Sequence, residues 1–127
     1  MKLLLYIQIK AVHSVSYGHP AWMDQLGTDT LVFEADNHSE AAHLHQGKQF
    51  VKDATQVCLY FEVEEDQSPG SLTGLIEPLL RNVKRSKRVF LKGQNKPLMQ
   101  MLKLTKTAYK EVHENLAVES AARQYFE

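Results

Sequence analysis

The chain reads as a single α/β domain, a sheet covered by helices. Three observations predict it. β-rich apolar runs recur at residues 2–11, 28–36, 56–64 and 87–92. Between them the apolar spacing turns helical: Leu72, Leu75, Ile76, Leu79, Leu80 and Val83 fall at i, i+3, i+4, i+7, i+8 and i+11, one stripe. Finally, 127 residues suit one domain with one core, and there is no internal repeat, low-complexity segment or linker.

Taken in order, residues 2–11 form a first strand and residues 12–19 a turn-like segment. Pro20 opens a short helix over AWMDQL, since proline suits the first helical turn. Residues 28–36 form a second strand. Asn37 or Ser39 caps the next helix, which runs to about Ala54 with Leu44, Phe50, Val51 and Ala54 as its apolar positions. Gly47 weakens that helix by about 1 kcal/mol relative to Ala. The run QVCLYFEVE at residues 56–64 is the strongest strand, and its unbroken apolarity predicts a central position buried on both faces. The striped helix follows, with Ser71 as its N-cap. Lys87 to Lys92 is a strand closed by Gly93. Asn95 caps a helix with Pro97 in its first turn. Ala108 to His113 is a short edge strand, and Leu116 to Phe126 a final helix with Val118, Ala121, Ala122 and Tyr125 on one side.

Composition narrows the function. The formal charge is zero, so strong nonspecific binding to polyanions is not expected of the whole molecule. The charge is nevertheless polarised along the chain. From Arg81 to Lys110 there are ten Lys or Arg and no acid, while from Glu34 to Asp66 there are eight acids and two Lys. Arg81, Lys84, Arg85 and Lys87 either make a basic face for an acidic partner or anionic lipid, or simply complement a helix C-terminus. The single cysteine, Cys58, excludes an intramolecular disulfide and reads as a buried, inert thiol. The apolar start MKLLLYIQIK is broken by Gln8 and Lys10, too short for a signal peptide or a membrane span, so the expected compartment is the cytoplasm.

No nucleotide-binding glycine motif, Ser/His elbow or nucleic-acid motif is present, and neither enzyme activity nor a cofactor is expected. The acids Glu62, Glu64, Glu65 and Asp66 read as a solvated loop, because a strand end rarely aims four acids at one ion. His38, His43 and His45 lack a zinc spacing, and no metal site is expected. In the loop over residues 11–28, His13, Ser14, Ser16, Tyr17, His19 and Trp22 form a polar-aromatic group, and Trp22 is a core plug or an interface anchor.

The most informative segment is QVCLYFEVEEDQSPGSLTGL, residues 56–75. A buried strand leads through an acidic rim to a small-residue turn that opens the striped helix. Hydroxyls at Ser68, Ser71 and Thr73 stand beside Gly70 and Gly74. Backbone N–H groups at a helix start favour anions, so a phosphate here is chemically reasonable, and a plain helix cap is the simpler reading.

From about Leu31 onward this order and texture resemble the STAS domain family, the fold of bacterial anti-sigma factor antagonists and SpoIIAA-like proteins. The segments that carry the likeness are LVFEADNHSEAAHLHQGKQFV, the strand–turn–helix from Val57 through Gly93, and the tail from Gln94. The family's regulatory turn reads Asp-Ser-Ser/Thr-Gly-Leu, with its second hydroxyl phosphorylated. Thr73-Gly74-Leu75 matches the last three positions, Ser71 stands where the Asp usually stands and Leu72 on the first Ser. The resemblance implies a SpoIIAA-like fold with a four- or five-stranded mixed sheet and helices mainly on one face. It implies a non-enzymatic regulatory module that docks an anti-sigma-type, serine-kinase-like ATPase at Ser71–Leu75, weakened by phosphate on Thr73 or Ser71. The alternative is a lipid- or small-anion-binding module on the same fold, with Arg81, Lys84, Arg85 and Lys87 near a headgroup or membrane surface. A homodimer is a further expectation.

Overall fold

A computed structural model describes residues 1–127. Five strands form one sheet: β1 (Lys2–Ile9), β2 (Thr30–Asp36), β3 (Gln56–Val63), β4 (Lys87–Lys92) and β5 (Lys110–Glu111). Four helices accompany them: α1 (Ala41–Asp53), α2 (Thr73–Arg81), α3 (Lys96–Leu104) and α4 (Asn115–Phe126). Short 3-10 turns cover Val12–Ser14, Ala21–Gln25 and Gly70–Leu72.

The strand order is β2-β1-β3-β4-β5 and every pairing is parallel. This corrects the mixed sheet. A parallel neighbour needs a crossover of roughly a dozen residues or more, and residues 10–29 supply one between β1 and β2 where a hairpin would have needed a tight turn. β3 lies at the centre, as its apolar run predicts. Its alternate residues serve two cores. Val57, Leu59, Phe61 and Val63 face the larger one, and Cys58 and Tyr60 face the smaller.

The larger core lies under α1, α2 and α3. Leu44, Leu75, Ile76, Leu79, Leu80, Leu98 and Leu102 pack there against Leu3, Leu5, Ile7 and Ile9 of β1. The smaller core lies under α4 and the 3-10 turn at Ala21–Gln25, with Met23, Val118, Ala122 and Phe126 against Leu4, Tyr6 and Phe90. Three helices therefore share one face and one covers the other. Trp22 packs, half-buried, against this second core.

Several local expectations change. The stripe on α2 holds through Leu80, but the helix ends at Arg81 and leaves Val83 exposed. The cap of α1 is Glu40, with no side-chain cap bond; the Ser39 hydroxyl instead accepts from the Asp36 amide at 2.9 Å. Gly47 is not a weak point. The ring of Phe33 occupies the space beside it, and a Cβ there would stand 2.7 Å from Phe33 Cε1. A residue that costs the isolated helix stability lets β2 and α1 pack closely. Asn95 caps α3 as expected, accepting from the Leu98 amide at 3.0 Å.

Candidate functional site

In a parallel sheet the loops after the strands gather at one edge, and the helices return to the other. The turn at Ser68–Leu75 follows β3 and so lies at the carboxyl edge. The basic residues after α2 lie at the amino edge.

The turn is built from the loop outward. The Asn37 side-chain amide donates to the Ser68 carbonyl at 3.1 Å, tying the turn to the end of β2. Gly70 adopts a φ of 56°, a left-handed conformation that glycine takes without strain. The Ser68 hydroxyl accepts from the Gly70 amide at 3.2 Å. Ser71 lies inside the 3-10 turn and makes no cap bond to α2; its hydroxyl is exposed and reaches the Ser39 carbonyl at 3.5 Å. The N-cap role expected of Ser71 is thus corrected. The 3-10 turn is continuous with α2, so no isolated helix start remains for a cap to close. Thr73 is half-buried at the first position of α2, and Gly74 is exposed beside it.

Two residues that the sequence did not single out complete this surface. Lys48 of α1 overlies Gly74, with its Nζ placed 3.4 Å from where a Cβ would stand. Pro78 sits inside α2 and has no N–H to offer the Gly74 carbonyl one turn earlier. From Gly74 a groove of about 400 Å³ runs between α1 and α2, with Leu75 and Leu79 in its floor and Lys48, Lys52 and Arg85 along it. A lysine beside a small-residue turn leaves no spacing signal, because α1 reaches the turn only through the tertiary fold.

The basic set divides. Arg81 is spent on an i,i+4 pair with Glu77 at 2.8 Å. Lys84 is exposed. Arg85 donates to the Val51 carbonyl at the end of α1 and faces the α1/α2 groove. Lys87 donates to the Asn82 carbonyl at 2.9 Å and lines a different groove along β4. Arg85 and Lys87 thus line different grooves.

The crevice between β1 and β3, where parallel sheets of this order bind ligands, is filled by the chain itself. Lys10 pairs with Glu62 at 3.0 Å, both side chains largely buried. The Ala11 amide donates to Glu64 at 2.7 Å, and Asn95 Nδ2 donates to the Glu64 and Gln67 carbonyls at 2.9 and 2.5 Å. Burial works to raise the Glu62 carboxyl, but the hydrogen bond from Lys10, with the Tyr6 and Tyr60 phenols close by, outweighs it and holds it below the ordinary range. The same burial, with Glu62 beside them, pushes both phenols well above theirs. Of the four acids expected in a solvated loop, Glu62 and Glu64 are therefore structural, while Glu65 and Asp66 are exposed.

Two of the histidines on or near α1 bond the scaffold, and His45 is exposed. His38 bonds the Lys10 carbonyl at 2.8 Å; His43 bonds the Glu34 carbonyl at 2.6 Å and stacks on Phe33. No three His, Cys, Asp or Glu side chains are grouped so as to hold a metal ion. Cys58 is fully buried and burial pushes its thiol up to about 12. No helix is long and apolar enough to cross a membrane. No family model, no curated protein and no solved structure matches this chain.

Proposed function

We propose that this chain is a regulatory protein-binding module that docks an acidic helical segment of its partner along the α1/α2 groove. One observation carries the reading: a groove that begins at Gly74, the residue after Thr73, is lined by three cations, Lys48, Lys52 and Arg85. An amphipathic acidic helix would lay its apolar side on Val51 and Pro78 and its carboxylates on the cations. The partner class implied by the resemblance is an anti-sigma-type ATPase with kinase activity.

Control by phosphate follows from the same geometry. A phosphate on Thr73 or Ser71 adds about −1.5 to −2 charge close to Lys48. It would compete with the partner's carboxylates for that ammonium and weaken docking. The exposed hydroxyl of Ser71 is the more accessible acceptor, whereas half-buried Thr73 requires the first turn of α2 to loosen.

The test is phosphopeptide mass spectrometry on protein recovered from its native cells, with co-purifying proteins identified. Trypsin isolates the whole turn in the peptide Asp53–Arg81. Phosphate on Ser71 or Thr73, together with a partner whose binding is lost in Lys48→Glu, supports the reading. An unmodified peptide at full coverage across growth conditions removes the switch, and a partner that binds Lys48→Glu undiminished removes the groove.

A further inference from the structure

β5 has only two residues and pairs only with Phe90 and Leu91 of β4. Lys87, Arg88 and Val89 therefore run along an open sheet edge. Residues 108–110 and the last turns of α4 stand off from that edge and leave a groove of about 630 Å³, within the range of small-molecule sites. Its chemistry is one-sided. Arg88 and Lys110 supply two cations, Phe90, Tyr109 and Tyr125 three aromatic rings, and no acid lines it; Lys87 lines the groove as well, but its ammonium is bonded to the Asn82 carbonyl. The guanidinium of Arg88 lies 4.8 Å from the centroid of the Tyr125 ring. The Tyr125 hydroxyl is held by Ser86 Oγ at 2.5 Å, so the ring has a set position.

We propose that this groove binds a small planar aromatic anion of about the size of a nucleoside monophosphate. The ring stacks against Tyr109 and the Arg88–Tyr125 pair, and the anionic group sits between Arg88 and Lys110. Cations and aromatic faces together suit a ligand that is both flat and negative. The groove lies apart from the α1/α2 groove, so this inference stands or falls independently of the docking proposal.

The test is a titration of the isotope-labelled chain with adenosine 5′-monophosphate, followed by amide NMR shifts, with adenosine and inorganic phosphate as the two half-ligands. Saturating shifts at Arg88, Tyr109, Lys110 and Gln124 are expected, with each half binding about tenfold or more weakly than the whole. Arg88→Gln should weaken binding about tenfold. Lys110→Gln, on the exposed two-residue strand, should weaken it while leaving the Tyr60 and Val118 signals in place, which separates ligand loss from misfolding. Lys48→Gln should have no effect. The absence of saturating shifts in the groove at about 5 mM overturns the proposal, as does equal binding of either half-ligand or undiminished binding to Arg88→Gln and Lys110→Gln.

Discussion

His19 holds two carboxylates at once, Glu34 through Nδ1 and Asp24 through Nε2, each at 2.8 Å. It thereby staples the loop after β1 to β2. Burial alone would lower the imidazole, but the bonds to Asp24 and Glu34 outweigh it and leave the group above its ordinary value. A raised imidazole contributes stability that is fully present below its unfolded value of about 6.5 and is lost as pH rises through the folded value. Protection factors over residues 17–25, taken against the intrinsic exchange rate at each pH, should fall from pH 6 to pH 8.5, and His19→Gln should abolish that fall. Glu62 works at the other end of the scale. Its stabilisation is present above about 4.3 and lost as pH falls through its lowered folded value. Lys10→Met leaves the Glu62 carboxylate largely buried and short of its cation. A cost of about 2 kcal/mol is expected, the ~3–5 kcal/mol of a fully buried pair discounted for residual solvent. Urea denaturation measures it, and a double variant with Glu62→Gln should recover most of the loss.

At the scale of the element, the starts of α2 and α3 differ in how they are closed. α2 grows out of a 3-10 turn and has no side-chain cap, so its stability comes from the buried faces of Leu75, Ile76, Leu79 and Leu80. α3 depends on Asn95, fully buried, which caps the helix with its oxygen and ties the Glu64 and Gln67 carbonyls with its nitrogen. Ser71→Ala should therefore cost less than about 0.5 kcal/mol, below the usual range for a lost cap. Asn95→Ala should cost about 2–3 kcal/mol, since it removes a cap and two further bonds to the part-buried Glu64 and Gln67 carbonyls. Thermal or urea unfolding of the two variants side by side checks the ordering. A small Ser71→Ala effect also leaves that hydroxyl free to serve regulation without damage to the fold.

At the scale of the molecule, the two cores meet at a sheet whose central strands are buried on both faces, so β3 opens only when both layers separate. Cys58 reports on that event. With its thiol buried and pushed up to about 12, it should be inert to thiol reagents in the native state and react only on opening of the sheet. The reaction rate across a urea series should track global unfolding. Faster labelling in native buffer would mean that α4 lifts from the sheet by itself. The separation of the two edges matters at this scale too. The hydroxyl-bearing turn and the basic segment after α2 lie at opposite ends of α2, and the α1/α2 groove runs between α1 and α2 from Gly74.

The sequence by itself determined the element order, the central place of β3, the bounds of β4, the cap at Asn95 and the burial of Cys58. These follow from period, propensity and short-range chemistry, which act between residues close in the chain. Only the tertiary structure decided the rest. The all-parallel pairing depends on where residues 10–29 carry the chain, and no local pattern encodes that path. Lys48 at Gly74, Lys10 at Glu62 and Arg88 at Tyr125 join distant segments, so no spacing in the sequence announces them. Gly47 shows the reason most directly. Helix propensity scores it as a defect, and the ring of Phe33, brought in by β2, makes it the residue that fits.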